Sequence, residues 1–447
     1  MSESSHDPVR PLAAHGSRLD PYVDLYAERA RTMIASEIRA LFSVASRPEV
    51  VSLAGGMPYV SALPLDLLAD TFHRLVATRG AAALQYGSGQ GAVELREQIA
   101  GLMMPLVGVT AHPDDVVVTV GSQQALDLVT RILCDPGDVV VAEAPSYVGA
   151  LSVFAAYQTT VVHVPMDGEG LHPEALRETL TRLAAEGRKP KFLYTIPSYH
   201  NPAGVTQGPA RRAEVLAVCR SFGVPVLEDD PYALLGFDGV VPRALRADDA
   251  DGVLYLGSFS KTLASGLRVG WVVAPHGVRE KLVLAAEASV LCPSELSQLA
   301  VSAYLGEHPW WDQVKVFREL YRERRDALLD AMTGQLPGGT TWTVPEGGFY
   351  SWVTLPEGMD ATTMLPRAVT ARVAYVPGTA FYAGPAKPMG RRSLRLSYCY
   401  PEPERIREGV RRLASVIEGE LELLATFGPG AAGPDSSPSD VPGPATA

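Results

Sequence analysis

Between residues 116 and 273 the chain alternates short apolar runs with longer helical patterns. The apolar runs, which are typical of buried strands, are Val116–Val120, Val139–Ala142, Thr160–Val164, Phe192–Ile196, Val224–Leu227, Val253–Leu256 and Val269–Val273. The helical patterns include Gln123–Leu133, Pro173–Ala185 and Ala210–Phe222. Because parallel strands need long, usually helical crossovers, this alternation predicts an α/β fold with a seven-stranded, mostly parallel sheet flanked by helices. The last run follows its predecessor too closely for a helix, so we expect it to be antiparallel.

The pattern changes after about Pro309, where we expect a smaller α+β domain. Its predicted elements are a helix at Trp310–Met332, short strands at Thr341–Val344, Gly348–Val353, Ala374–Val376 and Ser393–Ser397, and a closing helix at Glu402–Ala425. The chain ends are polar or rich in Gly and Pro, which is typical of disorder. The predicted organisation is a disordered start (1–18), an arm with a helix at Tyr26–Ser46 (19–64), a large domain (65–309), the small domain (310–427) and a disordered tail (428–447).

Composition excludes several classes of protein. The net charge of −11 argues against a nucleic-acid-binding surface. No apolar run approaches the roughly 18 residues of a membrane span, and the first residues lack the basic and apolar regions of a secretory signal. Four scattered cysteines form no metal-type or redox pair, which indicates free thiols and a cytoplasmic protein without a metal site.

The segment Ser258–Trp271 contains one lysine, Lys261, directly after an apolar run. Burial at the end of a strand disfavours an ammonium ion, and a neutral amine can attack a carbonyl group. The hydroxyls of Ser258 and Ser260 and the guanidinium of Arg268 suit an anion beside that amine. A lysine alone in such a place is more often part of a surface loop. Whether Lys261 belongs to a site therefore depends on the residues at the ends of the other strands.

The ends of the preceding strands carry a consistent set of polar and aromatic residues. They are Ser122 and Gln123 at a helix start, Tyr147, Asn201, Asp229 and Tyr232. Each alone is an ordinary cap, packing residue or turn. Together they supply a phosphate cradle, a ring stack, donors to a ring oxygen and a carboxylate for a pyridine nitrogen, at the edge where α/β sheets bind ligands. With Lys261 they predict a site for pyridoxal phosphate.

The same segments carry a family resemblance. They are Gly121-Ser122-Gln123-Gln124, Pro145-Ser146-Tyr147, Asn201-Pro202-Ala203-Gly204, Asp229-Asp230-Pro231-Tyr232, Ser258-Phe259-Ser260-Lys261 with Arg268, and Arg395-Leu396-Ser397-Tyr398. Over Ser36–Leu424 the chain resembles the class I/II aminotransferases of pyridoxal-phosphate (PLP) fold type I. It looks closest to their 2-aminoadipate and kynurenine group, through Ser36–Arg39, Ser52–Pro58, Gln85–Gly87, Gly121–Leu126 and Glu143–Tyr147.

The resemblance implies a role for each site residue. Lys261 carries the cofactor and moves the proton at the substrate α-carbon. The cofactor ring is held by Asp229 at its nitrogen, by Asn201 and Tyr232 at its oxygen and by Tyr147 through stacking. Its phosphate is bound by Ser122, Gln123, Ser258, Ser260 and Arg268, with Tyr86 reaching across a homodimer. For the substrate, Arg395 grips the α-carboxylate, Gly56 and Asn201 line the pocket, and Arg39 can bind a distal carboxylate.

The implied reaction is ping-pong transfer of an amino group from an L-amino acid to a 2-oxo acid such as 2-oxoglutarate. The donor is 2-aminoadipate-like or aromatic. Some segments depart from the family pattern: Asn-Pro-Ala-Gly replaces Asn-Pro-Thr-Gly at 201–204, Glu287–Ser294 lacks the His/Thr-rich interface pattern, and Tyr59–Ser61 form an unfamiliar rim. An aryl-glycine-type donor therefore stays open.

Three other functions share parts of this pattern. A PLP-dependent lyase, decarboxylase or racemase would use the same Lys261 and Asp229, although Arg395 favours transamination. A transcription regulator would need a basic helix-turn-helix ahead of the domain, and we expect only a short polar segment before Tyr26. A non-catalytic binding protein would be expected to lack Lys261.

Overall fold

The computed structural model describes residues 14–15, 18–19, 22–31 and 47–427. Within these ranges the strands are β1 (Ala14–His15), β2 (Arg18–Leu19), β3 (Val51–Ser52), β4 (Val116–Thr119), β5 (Val139–Ala144), β6 (Thr160–Asp167), β7 (Gly170–Leu171), β8 (Leu193–Thr195), β9 (Val226–Asp229), β10 (Val253–Ser258), β11 (Gly270–Val273), β12 (Thr341–Trp342), β13 (Tyr350–Thr354), β14 (Val373–Ala374), β15 (Val376–Pro377) and β16 (Ser393–Ser397). Of the helix predicted at Tyr26–Ser46, the described part is helical only at Glu28–Arg31, and residues 32–46 lie outside the described ranges.

The α-helices of the described chain are α1 (Glu28–Arg31), α2 (Leu65–Ala83), α3 (Val93–Gln98), α4 (Met104–Leu106), α5 (Ser122–Leu133), α6 (Val148–Ala156), α7 (Pro173–Ala185), α8 (Pro209–Phe222), α9 (His276–Val290), α10 (Glu295–Glu307), α11 (Trp310–Gln335), α12 (Ala361–Thr370) and α13 (Pro403–Phe427). A π-helical turn at Ile99–Met103 joins α3 to α4. The proline and glycine patterns set several of these bounds. Helix α8, for example, begins at a proline in its first turn and ends at Gly223, whose φ of 61° is a left-handed cap.

The large sheet has the order β4-β11-β10-β9-β8-β5-β6-β7. Strands β10, β9, β8, β5 and β6 are parallel to one another, whereas β11 is antiparallel to both β10 and β4. The expected α/β fold is thus confirmed, as is the antiparallel direction of the last apolar run. The two-residue β7 adds an eighth, antiparallel strand through a tight turn from β6, which the apolar pattern does not reveal.

Some strands extend beyond the predicted apolar run, because polar residues continue the backbone hydrogen-bond pairing with the neighbouring strand. The run predicted at Val224–Leu227 is observed at β9, so Asp229 is the last residue of the strand and pairs with Leu256 of β10. Its buried carboxylate is satisfied in part by the Tyr194 hydroxyl, a partner that an apolar pattern cannot show. Asp229, Thr195 and Ser258 each end a strand at the same edge of the sheet. Parallel order therefore brings them together.

The small domain is built on the four-stranded sheet β12-β13-β16-β15, with α11 packed against α13. The single strand predicted at Ala374–Val376 is wrong. The chain changes partner at Tyr375, because β14 pairs with β3 of the N-terminal segment and β15 pairs with β16. No described helix combines the length and the apolar content that crossing a membrane requires. All four cysteines are free, as expected.

Candidate active site

A cavity of about 460 Å³ opens at the carboxyl edge of the large sheet and is also lined by the small domain. Of the residues predicted from the sequence, it is lined by Gly56, Ser122, Gln123, Tyr147, Asn201, Asp229, Tyr232, Ser258, Ser260, Lys261, Arg268 and Arg395. Two predicted residues are not among them. Tyr86 is 77% exposed in the loop after α2, and Arg39 lies outside the described residues.

Lys261 lies between the two ends of this cavity. It follows β10 by three residues, and its Nζ donates a hydrogen bond to the Gly56 carbonyl at 2.9 Å. The ring of Phe349 is 5.6 Å from Nζ. Burial lowers the pKa of the Lys261 amine to about 8, and the nearby guanidinium groups of Arg395 and Arg268 act in the same direction. Near neutral pH a larger fraction of this amine is therefore neutral and nucleophilic than of an ordinary lysine.

Asp229 is a buried carboxylate with one satisfied oxygen. Its Oδ2 accepts a hydrogen bond from the Tyr194 hydroxyl at 2.8 Å, whereas its Oδ1 is buried without a partner in the described chain. Burial raises the pKa of Asp229 to about 7. A buried, unpaired carboxylate oxygen that faces a cavity is a costly arrangement unless a ligand donates to it. A protonated pyridine nitrogen is such a donor.

The neighbouring carboxylates have partners of their own. Glu228 accepts from the backbone amides of Leu245 and Arg246, and Asp230 accepts from the Tyr255 hydroxyl at 3.3 Å. Both side chains point to the opposite side of β9 from Asp229, as the alternation of a strand requires. Asp229 alone of the three lines the cavity.

One end of the cavity is built to hold an anion. Helix α5 begins there, after Gly121, whose φ of 74° is a left-handed conformation. A Cβ at Gly121 would lie 2.3 Å from Nη2 of Arg268, so only glycine lets the arginine approach the helix start. The Ser258 hydroxyl donates to Ser260 Oγ at 2.8 Å, and both serines face the cavity. Free amides, hydroxyls and a guanidinium together suit a phosphate.

Tyr147 and Gln123 form the wall beside this anion site. The Tyr147 hydroxyl donates to Gln123 Oε1 at 3.4 Å, and Gln123 Nε2 donates to the Gly149 carbonyl at 3.0 Å. A Cβ at Gly149 would lie 2.4 Å from the Tyr147 ring, so glycine is needed for the ring to lie flat on α6. Burial raises the pKa of Tyr147 to about 12, so its hydroxyl stays protonated.

The other end holds Arg395, whose guanidinium is buried. Its Nη1 donates to Asn201 Oδ1 at 2.9 Å and its Nη2 to the Ala54 carbonyl at 2.6 Å. Its Nε is buried and has no partner, and no carboxylate of the described residues lies within 4 Å of the group. A buried cation without a counter-charge is expensive. This end therefore suits a carboxylate ligand.

The loop that carries Asn201 rests on a buried polar cluster that the sequence does not single out. His200, for which no role is expected, accepts from the Ala203 amide at its Nδ1, and its Nε2 lies 3.0 Å from Glu143 Oε2. Glu143 also accepts from the Thr195 hydroxyl at 2.6 Å and from Gln207 at 3.1 Å. These contacts fix the loop and thereby the position of Asn201.

The sequence also fails to identify Tyr350, Tyr194 and Phe381 as residues of the site or of its support. Tyr350 lines the cavity, Tyr194 holds Asp229, and the Phe381 ring lies 5.1 Å from the Arg395 guanidinium. Each lies in a segment with ordinary strand or turn content. Only the Gly347-Gly348 pair before Tyr350 gives a sequence signal, because two adjacent glycines indicate a close approach of the backbone. In the structure a bridge pairs Gly347 with Gly236 and brings this strand close to the large domain.

The residues present fit pyridoxal phosphate: an anion site, a lysine, an aromatic wall and an unpartnered carboxylate oxygen line one cavity. The family described as aminotransferase class I and II matches residues 50–413. An aromatic-amino-acid aminotransferase of Thermococcus litoralis is 40% identical over 404 residues, which cover 90% of this chain and 96% of that protein. A 2-aminoadipate transaminase of Thermus thermophilus is 38% identical over 406 residues, with coverage of 90% and 98%.

A solved structure agrees with these relatives. The kynurenine aminotransferase of Pyrococcus horikoshii, in complex with PMP, superposes with a TM-score of 0.85 at 38% identity, and the match covers 89% of this chain and 98% of that one. The resemblance seen in the sequence is confirmed. The chain belongs to the class I and II aminotransferases and is a pyridoxal-phosphate-dependent aminotransferase of fold type I.

Proposed function

We propose that this aminotransferase takes its amino group from aromatic L-amino acids by preference, with 2-aminoadipate as a second donor, and passes it to 2-oxoglutarate in a ping-pong cycle. One observation carries the preference. The cations that line the cavity among the described residues are Lys261, Arg268 and Arg395. With Lys261 on the cofactor, Arg268 on the phosphate and Arg395 on the α-carboxylate, no described cation of the lining is left for a distal carboxylate, whereas Met57 and Tyr350 offer apolar and aromatic surface.

We assign the residues as follows. Arg268, Ser122, Gln123, Ser258 and Ser260 hold the phosphate, Tyr147 stacks on the ring, and Asn201 and Tyr232 bind the ring oxygen. The carboxylate of Asp229 pairs with the ring nitrogen. When bound, the cofactor acts as an electron sink for negative charge at the substrate α-carbon. Lys261 removes the proton from that carbon and returns one to the cofactor side, and its lowered pKa suits it to both steps.

Arg395→Lys tests the carboxylate subsite. A lysine loses the bidentate fork and cannot stack between aromatic rings as a guanidinium does. We expect kcat/KM for every amino donor to fall by about 10²-fold, while cofactor affinity stays unchanged. Arg391→Lys, on an exposed arginine that pairs with Asp360 at 2.9 Å, is the matched control and should behave like wild type. Equal losses in the two variants would refute the assignment.

Arg39 lies outside the described residues, and we propose it as the group that accepts distal carboxylates. Arg39→Ala should raise KM for 2-aminoadipate and 2-oxoglutarate by about tenfold, the value of one charged hydrogen bond. KM for phenylalanine and tyrosine should not change. Single-turnover rates for each half-reaction would separate the two classes of substrate. A uniform loss across all substrates would mean that Arg39 supports the structure.

A donor panel with the purified enzyme tests the whole proposal. Aromatic, aryl-glycine, acidic and 2-aminoadipate donors are assayed against 2-oxoglutarate and against pyruvate. The proposal expects the largest kcat/KM for an aromatic donor with 2-oxoglutarate. A preference for aspartate or glutamate as donor, or release of carbon dioxide or ammonia without an oxo-acid acceptor, would overturn it.

We also propose that the active form is a cytoplasmic homodimer in which Tyr86 reaches the partner's phosphate site. The exposed loop of Tyr86 rests on acidic side chains of the same subunit, since a Cβ at Gly87 or Gly89 would lie 2.1 Å from Glu295 or 2.4 Å from Glu287. Leu84, two residues before Tyr86, is an exposed apolar side chain, as is Leu291, which follows α9. Sedimentation of the holoenzyme, and weaker cofactor binding in Tyr86→Ala, would support this arrangement.

A further inference from the structure

Tyr350 occupies the substrate end of the cavity because of the register of the small sheet. Trp352 of β13 pairs directly with Arg395 of β16, and Tyr350 pairs with Ser397. Tyr350 is two residues from Trp352, so both side chains lie on the face of Arg395. The Tyr350 ring lies 4.2 Å from the Arg395 guanidinium, and Phe381 covers that group from 5.1 Å. Arg395 is thus held between two aromatic rings as well as by Asn201 and Ala54.

The Tyr350 hydroxyl is buried in the cavity wall with little to bind. Its one hydrogen-bond partner among the described residues is the Tyr232 hydroxyl, which donates to it at 3.5 Å, the outer limit of a hydrogen bond. Burial raises the pKa of Tyr350, so the hydroxyl stays a protonated donor at neutral pH. A buried donor without a good acceptor is rare in native proteins unless a ligand supplies one.

The Tyr350 hydroxyl occupies the space that a side chain at position 56 would need. A Cβ at Gly56 would lie 2.0 Å from the Tyr350 hydroxyl oxygen and 3.1 Å from the ring carbon that bears it. The carbonyl of the same glycine accepts the hydrogen bond from Lys261 at 2.9 Å. The hydroxyl, Gly56 and the reacting amine are therefore immediate neighbours, and any shift of Tyr350 is transmitted to the place where the substrate reacts.

We propose that Tyr350 is a substrate-binding residue whose hydroxyl donates a hydrogen bond to the substrate carboxylate held by Arg395, in a space that stays open because residue 56 is glycine. This deepens the proposed function and rests on the assignment of Arg395 as the carboxylate receptor. The ring keeps the guanidinium in place, and the hydroxyl adds a further donor at its edge.

The test is a double-mutant cycle of Tyr350→Phe and Gly56→Ala. Tyr350→Phe keeps the ring on Arg395 and should raise KM for aromatic donors about tenfold, with kcat and the cofactor's absorption spectrum unchanged. The Kd of 3-phenylpropionate, which has a carboxylate and no amine, should rise by the same factor in calorimetry on the holoenzyme. Gly56→Ala should raise this KM and this Kd by a larger factor, because the added methyl group would overlap the Tyr350 hydroxyl. The double variant should recover most of that additional loss.

Tyr375→Phe is the matched control. Tyr375 is also buried, and its hydroxyl donates to the Ala361 carbonyl inside the small domain. It should lose stability without any change in the Kd of 3-phenylpropionate. If Tyr350→Phe leaves that Kd unchanged while Arg395→Lys raises it, the inference is wrong and the proposed function stands. If Tyr350→Phe weakens cofactor binding or alters the spectrum, the hydroxyl serves the cofactor, and the inference is equally overturned. If Arg395→Lys also leaves the Kd unchanged, the carboxylate assignment itself fails.

Discussion

Replacing Lys261 with alanine is expected to abolish transamination, with a fall in kcat of about 10³-fold or more. Among the described residues, Lys261 is the one lysine that lines the cavity. Its Nζ lies 2.9 Å from the Gly56 carbonyl, and burial lowers its pKa to about 8. On the proposed assignment, alanine removes both the nucleophile that carries the cofactor and the base that moves the substrate proton. No other described residue of the lining can replace it, because Tyr232 and Tyr350 have raised pKa values and stay protonated.

Two measurements separate this loss from misfolding. The visible absorption band of the lysine–cofactor Schiff base should vanish from the variant, whereas its circular dichroism and unfolding temperature should stay near those of wild type. Lys281→Ala, on an exposed face of α9, is the control for loss of a lysine and should keep both the band and the activity. Full turnover by the Lys261→Ala variant would contradict the proposed mechanism.

The predictable part of the site is the part that lies at strand ends. Ser122, Asn201, Asp229 and Lys261 each follow or end an apolar run, and parallel strand order brings such positions to one edge. The sequence thus contains enough local information to predict the cofactor end. The same logic predicts the direction of β11, because a short connection excludes a crossover helix.

The substrate end is less predictable because its parts come from distant segments. Arg395 contacts Asn201, Ala54, Tyr350 and Phe381, and no local pattern indicates that these meet. The register of β13 against β16 determines which side chains lie beside Arg395, and a slip of one residue would turn Tyr350 to the other face of the sheet. The split between β14 and β15 escapes prediction for a related reason. The apolar run Ala374–Val376 reads as one strand, although its two ends pair with strands of different sheets.

Asp229→Asn should have opposite effects on stability and on function. In the cofactor-free protein the buried carboxylate lacks a partner at Oδ1, and its pKa is raised from 3.8 to about 7. A raised carboxyl pKa means that the folded protein binds a proton more readily than the unfolded chain, so stability falls as the pH rises from about 4 to 7 and stays lower above it. Asparagine is uncharged and can still accept from Tyr194, which removes this penalty. We expect the apoprotein variant to unfold about 2–4 °C higher at pH 8, and with little difference at pH 4.

On the proposed assignment the sign reverses when the cofactor is bound, because the carboxylate would then pair with the ring nitrogen and keep it protonated. Asparagine cannot hold that charge, so kcat should fall by about 10²-fold or more and the Kd for pyridoxal phosphate should rise. Thermal unfolding of both forms at pH 4 and pH 8, with cofactor titrations followed by absorbance, gives all four quantities. Asp70→Asn, on an exposed position of α2, controls for the loss of one negative charge and should change none of them. A variant with wild-type turnover, or an apoprotein less stable than wild type at pH 8, would show that Asp229 has a partner other than the cofactor ring. If both results are obtained, the unpaired oxygen of Asp229 links the instability of the cofactor-free site to its function, since the charge that weakens the apoprotein is the one proposed to pair with the cofactor.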